Sequence, residues 1–337
     1  MKKKSITPNP EIINKLAKSV YPSFTFLTSM QLNVFSVLED SAKTPQEVAE
    51  VLNVKEKHIK RLLYALVSIG LLKIEKNQFT NSIEASCYLV PGKPTYMGNN
   101  TWINPILNYY IWGSAVKTAE TIHTGTPQEK FDYSAASEEQ LGEIFQSTRP
   151  IAYKAGEELA IKYDLSQYQS FVDVGGASGG LAIAVSDMYP HLRITVADLP
   201  SVSPIAKHLI ETEGATDRVH VMTANIVKNP LPESYDIAVL RALIQVLSSE
   251  HARLAIINMA NSINSKGRIF ILGHFMDNSK TSPLEEVIWF LNNLNWDGEA
   301  GFYTEDNHIN WLKEAGFVDI KREMLPNGDG VIHAIKP

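Results

Sequence analysis

The stretch SFVDVGGASGGLAIAVSDM, residues 170–188, constrains the fold more than any other part of the chain. It begins with an apolar run typical of a buried strand, continues with a glycine-rich turn, and ends in an apolar helical pattern. Glycines let a backbone turn tightly and approach a ligand closely, and the start of a helix offers free N–H donors. This order of elements predicts a ligand site at the edge of a parallel sheet.

The chain after about residue 155 alternates between strand and helix patterns. Strands are predicted in RITVADLP, VHVMTANI, SYDIAVLRAL and GRIFILGHF, and a helix in HARLAIINMANSINSKG. Such alternation predicts an α/β domain with a Rossmann-like, mostly parallel sheet and helices on both faces.

The N-terminal part has a different pattern. Thr44-Pro45-Gln46-Glu47 is a capping box with proline at the first helical position, and it begins the first of two short predicted helices. The second helix ends at Gly70, and a hairpin follows that turns at Lys76-Asn77. Helix, turn, helix and hairpin predict a mostly α winged-helix domain.

We therefore predict three parts: residues 1–95 as the winged-helix domain, 96–154 as a helical linker and substrate-pocket segment, and 155–337 as the ligand-binding domain. The basic side chains on the second helix also suggest a DNA-binding hypothesis. The alternative is a solvated helix face, and we favour it because no other basic cluster is present and the net charge is −6.

The composition excludes several classes of protein. Cys87 is the only cysteine, so an internal disulfide or a cysteine-cluster metal site is impossible, and we expect no metal. No apolar run approaches the roughly 18–20 residues of a membrane span. The basic start MKKK is not followed by the apolar segment of a signal peptide. We expect a cytoplasmic protein with neither a membrane nor a nucleic acid as its partner.

Two acidic residues indicate which ligand the glycine loop holds. Asp173 begins the loop, and Asp198 ends the next predicted strand, 25 residues later, where an acidic side chain can bind a ribose diol. NAD and S-adenosylmethionine both use this arrangement. Asp173 would repel a pyrophosphate but suits the cationic end of S-adenosylmethionine, which we predict as the cofactor.

With these motifs in place, the chain resembles a known family. FVDVGGASGGLA, VADLPSV and the late AGF, behind a winged-helix domain, are similar to the small-molecule O-methyltransferases of the caffeate/hydroxyindole type. The resemblance runs from about residue 15 to the end. It implies a class I methyltransferase sheet, a small-molecule methyl acceptor, and an N-terminal domain that forms a homodimer instead of binding DNA.

The resemblance also implies roles for individual residues. The family's cofactor positions fall on Asp173, Gly175, Gly176, Gly179, Asp198, Leu199, Asn225, Ile226 and Arg241. Asn225 and Ile226 stand where the family usually has an acid and a phenylalanine at the adenine. An asparagine carbonyl can still accept a hydrogen bond from the adenine amino group.

The family's catalytic stretch departs further from its pattern. It usually resembles LRHVLHDWSDE, whereas residues 240–250 here are LRALIQVLSSE, so the catalytic histidine falls on Gln245. Glutamine has no useful pKa and cannot act as a general base.

Three hypotheses follow. The favoured one is an acceptor that needs no deprotonation, such as a thioether, with S-methylation of 4-methylthio-2-hydroxybutyrate as a specific example. The second is an O- or C-methyltransferase of an aromatic natural product with a displaced base, His274 or Tyr303. The third is a relative that binds the cofactor without transferring methyl.

For an acidic acceptor, Arg149 and Arg241 are the predicted cationic anchors. Trp112, Tyr153 and Trp296 are predicted to face a cationic sulfur through their rings.

Overall fold

The protein's structure, a computed structural model, describes residues 9–93, 95–98, 113–130, 136–296, 301, 303–326 and 328–337. The chain divides into two compact units, residues 1–109 and 110–337. Within the described ranges, no helix is both long and apolar enough to cross a bilayer.

The first unit has the predicted winged-helix order of elements. Its elements are α1 (Glu11–Gln31), α2 (Val34–Val37), α3 (Pro45–Leu52), α4 (Glu56–Ser68), β1 (Leu72–Glu75), β2 (Gln78–Asn81) and α5 (Ile83–Tyr88). The Thr44 hydroxyl accepts from the Glu47 N–H, and the Glu47 carboxylate accepts from the Thr44 N–H, which completes the capping box. Lys76 and Asn77 have φ values of 48° and 63°, as a two-residue hairpin turn requires.

The second unit contains the predicted α/β sheet. Its elements are α6 (Thr118–Thr124), α7 (Glu138–Lys162), β3 (Ser170–Val174), α8 (Gly180–Met188), β4 (Arg193–Asp198), α9 (Ser203–Thr212), β5 (Val219–Thr223), β6 (Tyr235–Arg241), a 3₁₀ turn (Ile244–Val246), α10 (Ser249–Ala260), β7 (Ile263–Gly273), α11 (Leu284–Asn293), α12 (Glu305–Glu314), β8 (Val318–Met324) and β9 (Gly330–Ile335). The predicted boundary between residues 154 and 155 falls inside α7.

The strand order is β5-β4-β3-β6-β7-β9-β8. β3 to β7 are parallel, and the two last strands are antiparallel. Alternate side chains of β6 enter the two faces: Ile237 and Val239 pack with α7, α8 and α9, and Ala238 and Leu240 pack with α10 and α12. Helices therefore cover both faces, as predicted.

One predicted helix end is wrong. The helix expected to reach Gly267 ends at Ala260, and β7 begins at Ile263. Ile263 pairs with Tyr235 of β6, so strand pairing decides the conformation of a segment whose local pattern is helical.

The sheet positions the site. The chain runs outward from β3 through β4 to β5, then returns to the other side of β3 with β6 and β7. The crevice at the carboxyl ends of β3 and β6 is therefore the switch point where such sheets bind ligands.

Candidate active site

The glycine loop joins β3 to α8 at this switch point. The Gly175 N–H donates to the Ala197 carbonyl over 2.8 Å, which ties the loop to β4. A Cβ added to Gly176 would lie 2.6 Å from Asp173 Oδ2 and 3.0 Å from Val196 Cγ1, so a side chain does not fit there. Gly179, with φ of 71°, precedes the first residue of α8. The loop thus presents bare backbone and a helix N-terminus to the crevice.

Asp173 and Arg241 each have a buried polar atom beside this loop that no described residue pairs. Asp173 is the last residue but one of β3 and is 1% exposed, and its Oδ1 has no hydrogen-bond partner among the residues that the structure describes. Burial raises the pKa of Asp173 to about 7; the charge of Arg241 lowers it and that of Asp198 raises it. Arg241, the last residue of β6, has a buried Nε that also lacks a partner within the described residues.

A buried polar group without a partner costs about 1–3 kcal/mol. A ligand that carries a cationic donor and an anionic acceptor would satisfy both Asp173 and Arg241. The amino-acid end of S-adenosylmethionine has both groups, so these residues fit the predicted cofactor.

Asp198, at the end of β4, shapes the other side of the loop. Its Oδ2 accepts from the Ala177 N–H over 2.9 Å, and its Oδ1 accepts from the Leu199 N–H over 2.8 Å. Burial raises the pKa of Asp198, and the two backbone hydrogen bonds oppose that effect. Each oxygen keeps a second acceptor position, so the predicted ribose role is compatible with this geometry.

Asn225 and Ile226 follow β5. The Asn225 Oδ1 accepts from the Val227 N–H over 3.1 Å, so it shapes its own turn. Ile226 is 5% exposed and belongs to the core on the α10 face, and its carbonyl accepts from the Asn258 side chain over 2.7 Å. Their adenine-binding roles stay predictions.

Gln245 occupies the 3₁₀ turn after β6 and is 7% exposed. Its Oε1 accepts from the His274 N–H at the end of β7 over 3.1 Å. The adjacent Leu243 borders the glycine loop, since a Cβ on Gly175 would lie 3.2 Å from Leu243 Cδ1. One short turn thus touches both the cofactor loop and His274.

His274 follows the last residue of β7, and two residues of α11 hold its ring. The ring Nδ1 lies 2.5 Å from Glu286 Oε2. The ring stacks on Trp289, with centroids 4.5 Å apart and planes 19° apart. The sequence interpretation missed Glu286 and Trp289 because no local pattern links a helix to a histidine on the preceding strand; their i, i+3 spacing shows only that they share a helix face.

Two predicted acceptor-binding residues on α7 have partners on other helices. Arg149 forms an ion pair with Glu213 just past the end of α9. The Tyr153 hydroxyl donates to Asp187 over 2.9 Å, near the far end of α8 from the glycine loop, and this bond is the largest cause that raises the tyrosine pKa. Both residues also lie beside the start of α8, since a Cβ on Gly180 would be 3.1 Å from Arg149 Cγ and 3.1 Å from the Tyr153 nitrogen. Their acceptor-binding roles stay predictions.

The remaining candidates are Tyr303, Trp296 and Trp112. The Tyr303 hydroxyl donates to the Leu247 carbonyl over 2.7 Å, and its ring packs on Trp311 in the core, so its proton is already engaged. Trp296 is half-buried three residues past α11. Trp112 lies outside the described residues.

Comparison with known families gives two matches. Residues 118–318 match the O-methyltransferase domain, and residues 14–91 match the O-methyltransferase dimerisation domain.

Similar curated proteins include the N,N-dimethyltransferase OxyT of Streptomyces rimosus, 27% identical over 92% of both chains. The 3-hydroxy-5-methyl-1-naphthoate 3-O-methyltransferase of Streptomyces sahachiroi is 26% identical over 97% of this chain and 95% of its own.

Among solved structures, PigF with SAH aligns with a TM-score of 0.83 at 18% identity, over 98% of this chain and 100% of PigF. Human N-acetylserotonin methyltransferase in complex with SAM aligns with a TM-score of 0.82 at 22% identity, over 99% of both chains. These structural likenesses show the fold.

Proposed function

Because this chain belongs to the S-adenosylmethionine-dependent O-methyltransferase family, we propose that it methylates a hydroxyl group of an aromatic natural product with His274 as the general base. The observation that carries the proposal is the position of His274, whose ring is fixed by α11 beside the turn that borders the glycine loop.

The cofactor side follows from the unpaired atoms. Bound S-adenosylmethionine supplies a methyl group activated by its sulfonium. Asp173 would accept from the cofactor ammonium, and Arg241 would donate to its carboxylate. Asp198 would accept from the ribose hydroxyls. These residues hold the cofactor in place, which favours in-line attack by an aligned acceptor.

The acceptor side requires a base. Because a carboxylate oxygen only accepts hydrogen bonds, the Nδ1 of neutral His274 carries the proton when Glu286 is ionised. The lone pair then lies on Nε2, which takes the hydroxyl proton as the acceptor oxygen is methylated.

The relatives bear on the earlier thioether hypothesis. That hypothesis rests on Gln245 in place of a base beside an intact cofactor loop, and the names of the relatives reported above give it no support. The naphthoate 3-O-methyltransferase favours an aromatic hydroxyl. A second candidate is an amine acceptor, since OxyT is an N,N-dimethyltransferase and a neutral amine attacks through its own lone pair.

We also propose a homodimer formed through the N-terminal unit. The dimerisation-domain match covers residues 14–91. In addition, α1 exposes Ile12, Ile13, Leu16 and Tyr21, which are 66–75% accessible in the single chain. Large exposed apolar patches of this kind mark protein interfaces.

The test uses methyl-labelled cofactor with a panel of phenols, aromatic amines and thioethers. We expect transfer to a phenol, and His274→Ala should lower kcat about 10²–10⁴-fold, the usual contribution of a general base. The affinity for the cofactor should stay unchanged. His208→Ala, which removes an exposed histidine on α9, is the matched control.

Transfer to an amine but to no phenol would replace the hydroxyl by the second candidate. Transfer only to a thioether, or full activity of His274→Ala, would overturn the proposal.

A further inference from the structure

We propose that Glu286 and Gln245 are positioning residues for His274, and that together they build a relocated base on β7 and α11. This inference deepens the proposed function and rests on it. The resemblance aligns the family's histidine with Gln245, whose side chain contacts the residue that we assign as the base.

The His274 side chain is restrained on two sides. Glu286 binds Nδ1, and Trp289, three residues further along α11, stacks on the ring face. Nε2 has no partner within the described part of the chain, and about a third of the side chain, 32%, remains exposed. The two contacts therefore fix the ring while leaving one nitrogen available.

The backbone of His274 is restrained by Gln245. The Gln245 Oε1 accepts from the His274 N–H, and it lies so close to Gly273 that a Cβ there would be 2.4 Å away. Gly273 has φ of 150° and leaves room for the amide oxygen. A histidine at position 245 would lack an amide carbonyl at this place, so Gln245 performs a different task from the residue that it replaces.

The acidity of the acceptor distinguishes the loss of a residue that positions His274 from a general structural defect. An acidic phenol is already ionised and needs no base, whereas a weakly acidic phenol does. Loss of a positioning residue should therefore slow the weakly acidic acceptor and leave the acidic one nearly unaffected. A structural defect should slow both equally.

The experiment compares Glu286→Gln with Glu285→Gln, which removes the same charge from the adjacent, exposed position of α11. We expect Glu286→Gln to lower kcat about tenfold or more on a weakly acidic phenol, by analogy with carboxylates that orient metal-ligating histidines. The loss should shrink to under about twofold on a nitrophenol, with KM unchanged. Glu285→Gln should resemble the wild type.

Two further variants distinguish a loss of positioning from misfolding. Gln245→Met has nearly the same size but cannot accept from the His274 N–H, and it should show the same acidity-dependent loss at smaller size. Added imidazole should restore part of the His274→Ala rate on the weakly acidic phenol.

Equal losses on both phenols in Glu286→Gln, or none, would overturn the inference while the proposed function stands. If the wild type methylates no phenol, the proposed function itself fails.

Discussion

The loop from Val174 to Gly180 and the turn from Arg241 to Leu247 lie at the ends of adjacent strands, yet they differ in what builds them. The loop presents glycines and backbone N–H groups, and the Asp198 carboxylate accepts from the Ala177 N–H. The turn depends on side chains that meet from distant segments, as Gln245 meets His274 over 29 positions. The loop is therefore built from residues that are close in sequence, whereas the turn depends on how distant segments pack.

The strongest test of this difference is on the loop side. Gly176→Ala places a Cβ 2.6 Å from Asp173 Oδ2 and displaces the carboxylate. Overpacking of this kind costs about 1–3 kcal/mol. Since about 1.4 kcal/mol is tenfold in Kd, cofactor affinity should fall by up to roughly a hundredfold in a calorimetric titration. Gly142→Ala, in open space on α7, is the control. Unchanged affinity in Gly176→Ala would contradict a backbone-built loop.

The second prediction concerns pH and Asp173. Because its pKa is raised to about 7, protonation at lower pH removes the charge that binds the cofactor ammonium. Affinity should weaken by about tenfold per pH unit well below 7.

The stability of the free protein should change in the opposite direction. The pKa of Asp173 rises from 3.8 to about 7 on folding, so the native state binds this proton more tightly. The contribution to the free energy of unfolding is therefore present at low pH and is lost as the pH rises from about 4 to about 7. Asp173→Asn should flatten both curves in calorimetry and thermal unfolding, and an unaltered pair of curves would sink the assignment.

Gly273→Ala tests whether the glycine loop and the turn from Arg241 to Leu247 act independently. A Cβ at Gly273 meets the Gln245 Oε1 at 2.4 Å, and the backbone there disfavours other residues. We expect a loss of about 1–3 kcal/mol in the free energy of unfolding and a lower kcat. Cofactor affinity should stay at its wild-type value. A parallel fall in affinity would show that the loop and the turn are not independent.

The smallest effect is expected for Tyr153→Phe. It removes one exposed hydrogen bond to Asp187, worth about 0.5–1.5 kcal/mol at most. The KM for the acceptor should not change, because the hydroxyl binds Asp187, seven residues along α8 from Gly180. A large rise in KM would support the acceptor role predicted for Tyr153 from the sequence.

The glycine loop and the turn after β6 also differ in how far the sequence predicts them. Local patterns sufficed for the loop, the capping box at Thr44 and the hairpin at Lys76, because the deciding atoms are close in sequence. They failed where packing decides: β7 begins inside the segment predicted as the end of a helix. They also did not predict the ion pair between Arg149 and Glu213. The contact between Glu286 and His274 depends on where α11 lies on the sheet edge, which no local periodicity encodes.

The register of β6 against β7 has a consequence for how such a protein changes over evolution. Arg241 pairs with Leu272, so the two strands end level, and residues just past either end reach the same neighbourhood. A proton acceptor could be lost from one strand end and gained at the next without moving the cofactor loop. The sheet edge therefore offers two alternative positions for a general base, and single substitutions suffice to exchange one for the other during evolution.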